Sequence, residues 1–327
     1  MPPSGAYHGK TVLVCGGSSG LGAAVAKRLA ARGAHITIFG RSQDRLDSAK
    51  KEIEASASTE GQEILAVSVD LSNAQEVDAA FRAQPRVPDE LYCCAGGNHA
   101  ENGFFVDLQA SQLDSCMKNN YYAALYPAKA VLDLWIKGGS EATAQVKRGL
   151  TRRIVFVSAC AAFLSMPGSI AYTPAKVAVR ALADSLRMEL LRYSSSSCTY
   201  SVHCAFPADF VSPGFYLEQH TKTPLTKRIQ GTNHAIAELE AKYPSSDKVA
   251  SQIIEAVESG EFIICKDSTA SSLLFTAMTG PSPKRGWGIF DSLVGLLVSW
   301  LVWPYLRRQW EAEIRKDGEA ARRDGII

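Results

Sequence analysis

The stretch TVLVCGGSSGLGAAVAKRLAARGA, from Thr11 to Ala34, constrains the fold more than any other part of the chain. A short apolar run ends in a turn with glycines at 16, 20 and 22, and the turn opens into a segment where Val25 and Leu29 recur at helical spacing. From residue 11 onward such apolar runs alternate with longer segments of helical period, the pattern of a parallel sheet covered by helices. The expected strands are 11–15, 35–39, 64–69, 90–94, 153–158, 200–206 and 262–265. The expected helices are 20–32, 41–56, 73–82, 111–137, 172–193 and 247–259. Seven strands with helices between them fit one doubly wound α/β sheet. Segments 55–62, 138–146 and 194–198 are rich in small and polar residues and are expected to be surface loops.

The glycine turn carries the first chemical inference. In a strand, turn and helix of this kind the first glycine makes the tight turn, the next lets the backbone approach a pyrophosphate, and the last allows close packing. The helix N-terminus then offers free N–H groups and a positive dipole. Gly16, Ser18, Ser19, Gly20 and Gly22 are therefore expected against the phosphates of a dinucleotide, in a Rossmann-type site whose G-x-x-x-G-x-G spacing is wider than the usual G-x-G-x-x-G. A turn rich in glycine for steric reasons alone is the bland alternative. At the end of the second strand, where a carboxylate would select the ribose hydroxyls of NADH, the sequence ITIFGRSQDRL instead supplies Arg41 and Arg45. Guanidinium donors suit a 2′-phosphate, so NADPH is the expected cofactor. Asp70 and Leu71 close the third strand and are expected near the adenine; a helix cap is the other role open to Asp70.

The run AYTPAKVAVRALADSLRMEL places Tyr172 and Lys176 four residues apart, on one face of a helix whose first turn tolerates Pro174. A neighbouring ammonium is expected to draw the phenol down from about 10, which suits a general acid. A single Y-x-x-x-K match also describes many ordinary surface helices.

Order and spacing decide between these readings. A glycine turn, an Asn-bearing helix (KNNYYAALYP) and the strand RIVFVS precede the Tyr, and over residues 9 to about 265 the chain resembles a short-chain dehydrogenase/reductase. The resemblance implies that Tyr172 transfers the proton and that Lys176 assists it and binds the nicotinamide ribose. Asn120 would hold a relay water, with Asn119 as the other choice, and a serine would polarise the carbonyl. The family's serine commonly lies thirteen residues before the Tyr, and Ala159 stands there. Ser158 is the expected substitute; a strand-end serine bonding the backbone, with no substitute at all, is the other outcome. The family's N-N-A-G motif is replaced by Cys93-Cys94-Ala95-Gly96.

After the sixth strand, PADFVSPGFYLEQHTKTPLTKR opens a long mixed segment, about 208–246, where the family builds its substrate lid. Residues 1–265 are thus expected to form the Rossmann domain and 266–327 a C-terminal segment. Within the latter, 287–306 (WGIFDSLVGLLVSWLVWPYL) is apolar, carries Asp291 as its one charge, is flanked by basic residues and holds Trp287, Trp300 and Trp303. A helix that spans a bilayer and one that lies in its surface both fit, and an oligomer contact is the non-membrane alternative. The tail beyond it is charged. Within the family, GGSSGLG, NYYAALYPAKAV, RIVFVS, AYTPAK, FPADFVSPGF and the apolar C-terminus most resemble the 3-ketodihydrosphingosine reductases. That implies NADPH-dependent reduction of the lipid ketone 3-ketosphinganine at the cytosolic face of the endoplasmic reticulum, and pairing of copies as a homo-oligomer. Another lipid ketone (steroid, retinoid or fatty-acyl) and a non-catalytic NADPH-binding scaffold are the rival functions.

Composition removes other classes. A formal net charge of +2 gives no general attraction to nucleic acid. The eight cysteines, at 15, 93, 94, 116, 160, 198, 204 and 265, form no C-x-x-C pair and are expected to be core thiols, with no metal site. The N-terminus MPPSGAYHGK lacks the apolar core of a secretory signal.

Overall fold

The computed structural model describes residues 7–98, 101–138, 149–163, 168–222 and 224–266, with scattered positions between 289 and 325. Seven parallel strands form one sheet: β1 (Thr11–Cys15), β2 (His35–Gly40), β3 (Ile64–Ser68), β4 (Glu90–Cys93), β5 (Leu150–Val157), β6 (Cys198–Ala205) and β7 (Ile263–Ile264). Their order is β3-β2-β1-β4-β5-β6-β7. The chain winds outward in one direction from β1 and then returns to wind outward in the other from β4. This doubly wound order opens a crevice beyond the C-terminal ends of β1 and β4.

Every residue of β1 is buried, as a central strand covered on both faces requires. Its alternation divides the core: Val12 and Val14 pack with α1 (Gly20–Ala30), α2 (Gln43–Glu54) and the last helix before β7. Leu13 and Cys15 face α3 (Ala74–Arg82), α5 (Ala123–Lys137) and α6 (Tyr172–Glu189). Asn73, expected inside α3, caps it by accepting from the N–H groups of Gln75 and Glu76.

The segment expected as one helix over 111–137 is broken. It runs as α4 (Ala110–Met117), a π turn (Lys118–Tyr122) and then α5. Pro127 lies inside α5 and has no N–H to return to the carbonyl four residues back, and the wider turn lies just before that defect. Between β6 and β7 the mixed segment holds three helices that its composition did not announce, α7 (Pro213–Thr221), α8 (Pro224–Ile229) and α9 (Ile236–Lys242). Ser212 caps α7 through Phe215 N–H, with Pro213 in the first position. The last helix, α10 (Ser246–Glu258), is capped by Ser245 and lies against α1.

Of the expected C-terminal helix, 289, 292, 293, 296, 300, 301, 304 and 305 are helical, and Ile289, Leu293, Leu296, Trp300, Leu301 and Tyr305 are exposed. Among the described residues no helix is long and apolar enough to cross a membrane. Trp287, Asp291, Trp303, the flanking basic pairs 284–285 and 307, and most of the expected loop at 138–146 lie outside the described residues.

Candidate active site

One cavity of about 570 Å³ lies at the crevice, and the glycine turn, the β2 end, the β4 and β5 ends, the start of α6 and the segment after β6 all contribute to its wall. Gly16 has φ of +78°, which only glycine adopts without strain, and a Cβ there would lie 2.7 Å from Ala95 Cα. A Cβ on Gly22 would collide with the Gly16 carbonyl oxygen, so the third glycine is fixed by packing. Ser19 stands at the N-cap of α1, but its side chain makes no cap hydrogen bond. The first amides of α1 are left without that partner, and they face a cavity that Ser18, Ser19 and Gly20 line. Arg45 donates to Ser19 Oγ at 2.9 Å and Arg41 to Asn119 Oδ1 at 3.2 Å, so both guanidinium groups are held at this end. These residues fit a dinucleotide phosphate. Leu71 and Asp70 also line the cavity. Asp70 accepts from Ser72 N–H and Oγ–H, a turn bond, and the helix cap considered for it falls to Asn73.

Tyr172 opens α6, and Lys176 follows one turn later with its Nζ 5.5 Å from the Tyr172 ring centroid. Lys176 is buried and donates to the Val157 carbonyl at 3.1 Å. Burial lowers its pKa to about 8. Tyr172 behaves contrary to the sequence expectation. Burial, with Glu218 and the Cys160, Cys116 and Asp209 groups adding to it, pushes the phenol well above its ordinary value. Desolvation outweighs the neighbouring ammonium, and the phenol is held in the protonated form that a proton donor requires.

The Asn and Ser candidates separate. Asn120 is buried in the π turn; its Oδ1 accepts from Gly97 N–H, and its Nδ2 donates to the carbonyls of Gly97 and Cys116. It thus braces the loop after β4, the task for which Cys93-Cys94 has no amides. Asn119 lines the cavity and positions Arg41. Ser158 lies at the cavity wall, and its hydroxyl donates to the Lys176 carbonyl at 2.8 Å, the backbone bond that was the other outcome for it. Ser169, which the sequence reading passed over, also lines the wall. Its Oγ accepts from Gln230 Nε2 at 3.0 Å, and its own hydrogen is given to no acceptor among the described residues. Asp209 and Glu218 were missed as well. They reach the cavity from the segment after β6, and no periodicity or motif marks them.

All eight cysteines are free thiols, five of them buried. No group of metal-binding side chains occurs among the described residues.

The family model described as short chain dehydrogenase matches residues 10–207. The chain is 32% identical over 303 residues to the PIGF/3-ketodihydrosphingosine reductase fusion protein of Schizosaccharomyces pombe, covering 93% of this chain and 56% of that protein. It therefore spans little more than half of the fusion protein's length. It is 31% identical over 310 residues to the 3-ketodihydrosphingosine reductase ksrA of Aspergillus fumigatus, covering 90% of this chain and 80% of that one. Among solved structures, levodione reductase superposes with a TM-score of 0.67 at 20% identity, over 81% of this chain and 99% of its own.

Proposed function

The chain belongs to the short-chain dehydrogenase family and is an oxidoreductase, and from that premise we propose that it reduces 3-ketosphinganine to sphinganine with NADPH. The observation that carries the proposal is the single cavity that sets Tyr172 and Lys176 opposite the glycine turn, Arg41 and Arg45. The names of the relatives supply the substrate, a long-chain ketone, and Phe210, Phe215 and Leu217 give the cavity an apolar side for it.

Gly16, Ser18, Ser19, Gly20 and Gly22 would hold the pyrophosphate, Arg41 and Arg45 the 2′-phosphate, Asp70 and Leu71 the adenine side, and Lys176 the nicotinamide ribose. When bound, NADPH supplies the hydride. Tyr172 gives its hydroxyl proton to the ketone oxygen as charge develops there, and Lys176, against the Tyr172 ring, favours the phenolate left behind. Asn120 keeps the loop after β4 in register with the π turn. For a second hydrogen bond to the ketone the wall offers Ser158, which must first release the Lys176 carbonyl, and Ser169, whose hydrogen is uncommitted among the described residues.

Membrane attachment through the C-terminal segment, placement at the endoplasmic reticulum with the cavity facing the cytosol, and pairing of two copies through α5 and α6 belong to the same proposal. The exposed apolar residues Ile289, Leu293, Leu296, Trp300, Leu301 and Tyr305 support the first.

The deciding experiment is NADPH oxidation by the purified protein with 3-ketosphinganine, beside an NADH control and Tyr172→Phe. Turnover that requires NADPH and collapses in Tyr172→Phe is expected. Turnover of a steroid, retinoid or fatty-acyl ketone instead would replace the substrate and keep the chemistry.

A further inference from the structure

The two ends of the cavity differ in charge. Arg41 and Arg45 stand at the glycine turn, whereas Asp209 and Glu218 line the wall contributed by the segment after β6. Glu218 has a partner, Lys222 Nζ at 2.6 Å. Asp209 is half-buried and makes no hydrogen bond or ion pair among the described residues; Lys222 and Lys242 act on it electrostatically without pairing with it. A carboxylate in such a place is costly to the fold unless a cation meets it.

An independent acceptor lies at the same end. Asn98 lines the cavity and is 4% exposed; its Nδ2 donates to Asn102 Oδ1 at 2.6 Å, and its Oδ1 has no partner among the described residues. Asn102 in turn donates to Thr221 Oγ1, and Thr221 donates to the Glu218 carbonyl, so one hydrogen-bonded chain joins Asn98 to α7. Burial holds the carboxyls of Asp209 and Glu218 above the usual carboxylate range, and both groups act electrostatically on Tyr172. All three acceptors line the same cavity as Tyr172.

A ketone reduced beside Tyr172 would place its neighbouring carbon toward these groups. In 3-ketosphinganine that neighbour carries an ammonium, which has three hydrogens to give and no acceptor. Resting on the reductase reading, we propose that Asp209, assisted by Glu218 and Asn98 Oδ1, binds the ammonium next to the ketone, so that the site selects 2-amino ketones and their amino-alcohol products over plain lipid ketones. The three acceptors match its three hydrogens. Neutralising Asp209 is the electrostatic gain that a ketone without the amine forgoes.

The test uses the full chain loaded with NADP⁺ and calorimetric titration with sphinganine and with the 1,3-diol of the same chain length that lacks the amine, each as a soluble short-chain homologue. Wild type is expected to favour the amine by about tenfold to a hundredfold, the range of a charge-assisted hydrogen bond. Asp209→Asn and Glu218→Gln, nearly isosteric with the native residues, are each expected to lower that ratio, and NADP⁺ binding by each variant verifies its fold. Equal affinity of wild type for the two ligands, or variants that weaken both alike, would overturn the inference. Turnover of 3-ketosphinganine without amine preference defeats the inference and leaves the reductase reading intact; amine preference without turnover does the reverse. Failure of wild type to bind either ligand defeats both.

Discussion

Lys176 is buried with a pKa lowered to about 8, and Tyr172 is held protonated by the same burial. Reduction consumes a proton and uses the protonated pair. Its kcat/KM is therefore expected to fall as pH rises through about 8, while oxidation of the alcohol rises over the same interval, and a pH series run in both directions checks this. Tyr172→Phe removes the proton donor and keeps the ring; a loss of turnover of roughly a hundredfold to ten-thousandfold is expected, with NADPH affinity retained. The two serines are expected to part company. Ser158→Ala removes a bond to the Lys176 carbonyl and should lower stability by about 1 kcal/mol. Ser169→Ala removes the uncommitted donor and should lower kcat by roughly a hundredfold, as loss of a donor to a developing oxyanion does. Thermal melts and single-turnover rates of both variants read the difference.

At the scale of elements, the turns after β1 and β2 divide the work of holding a dinucleotide. The first works by close approach, since a Cβ on Gly22 meets the Gly16 carbonyl oxygen. Gly22→Ala must move the start of α1 away from the turn, and NADPH affinity is expected to fall by on the order of tenfold, which calorimetric titration measures. The second works by charge. Replacing both Arg41 and Arg45 by alanine is expected to cost roughly a hundredfold in NADPH affinity and to spare NADH, because only the 2′-phosphate is lost as a partner. The π turn between α4 and α5 belongs to this scale too. It places Asn120 inward, where one side chain ties the loop after β4 through both Gly97 backbone groups.

Across the whole molecule, the doubly wound sheet stands on a core split by the faces of β1, and the described C-terminal positions add exposed apolar residues. Deleting 284–327 is expected to move the protein from the membrane pellet to the supernatant and to leave NADPH binding in place, since among the described residues the cavity draws none from beyond 230. Fractionation of the truncated and full chains checks it.

Local pattern alone determined the seven strands to within a few residues, the glycine turn, the arginines after β2 and the Tyr172–Lys176 pair. Each depends on a short-range rule, either periodicity or a spacing of a few residues, that needs no partner elsewhere in the chain. Only the tertiary structure decided the rest. It broke the helix at 118–122, turned the Tyr172 pKa upward, committed Ser158 to a carbonyl eighteen residues away and brought Ser169, Asn98, Asp209 and Glu218 to one cavity. Desolvation and proximity are properties of what surrounds a residue in space, and here the surroundings come from segments that the sheet order brings together.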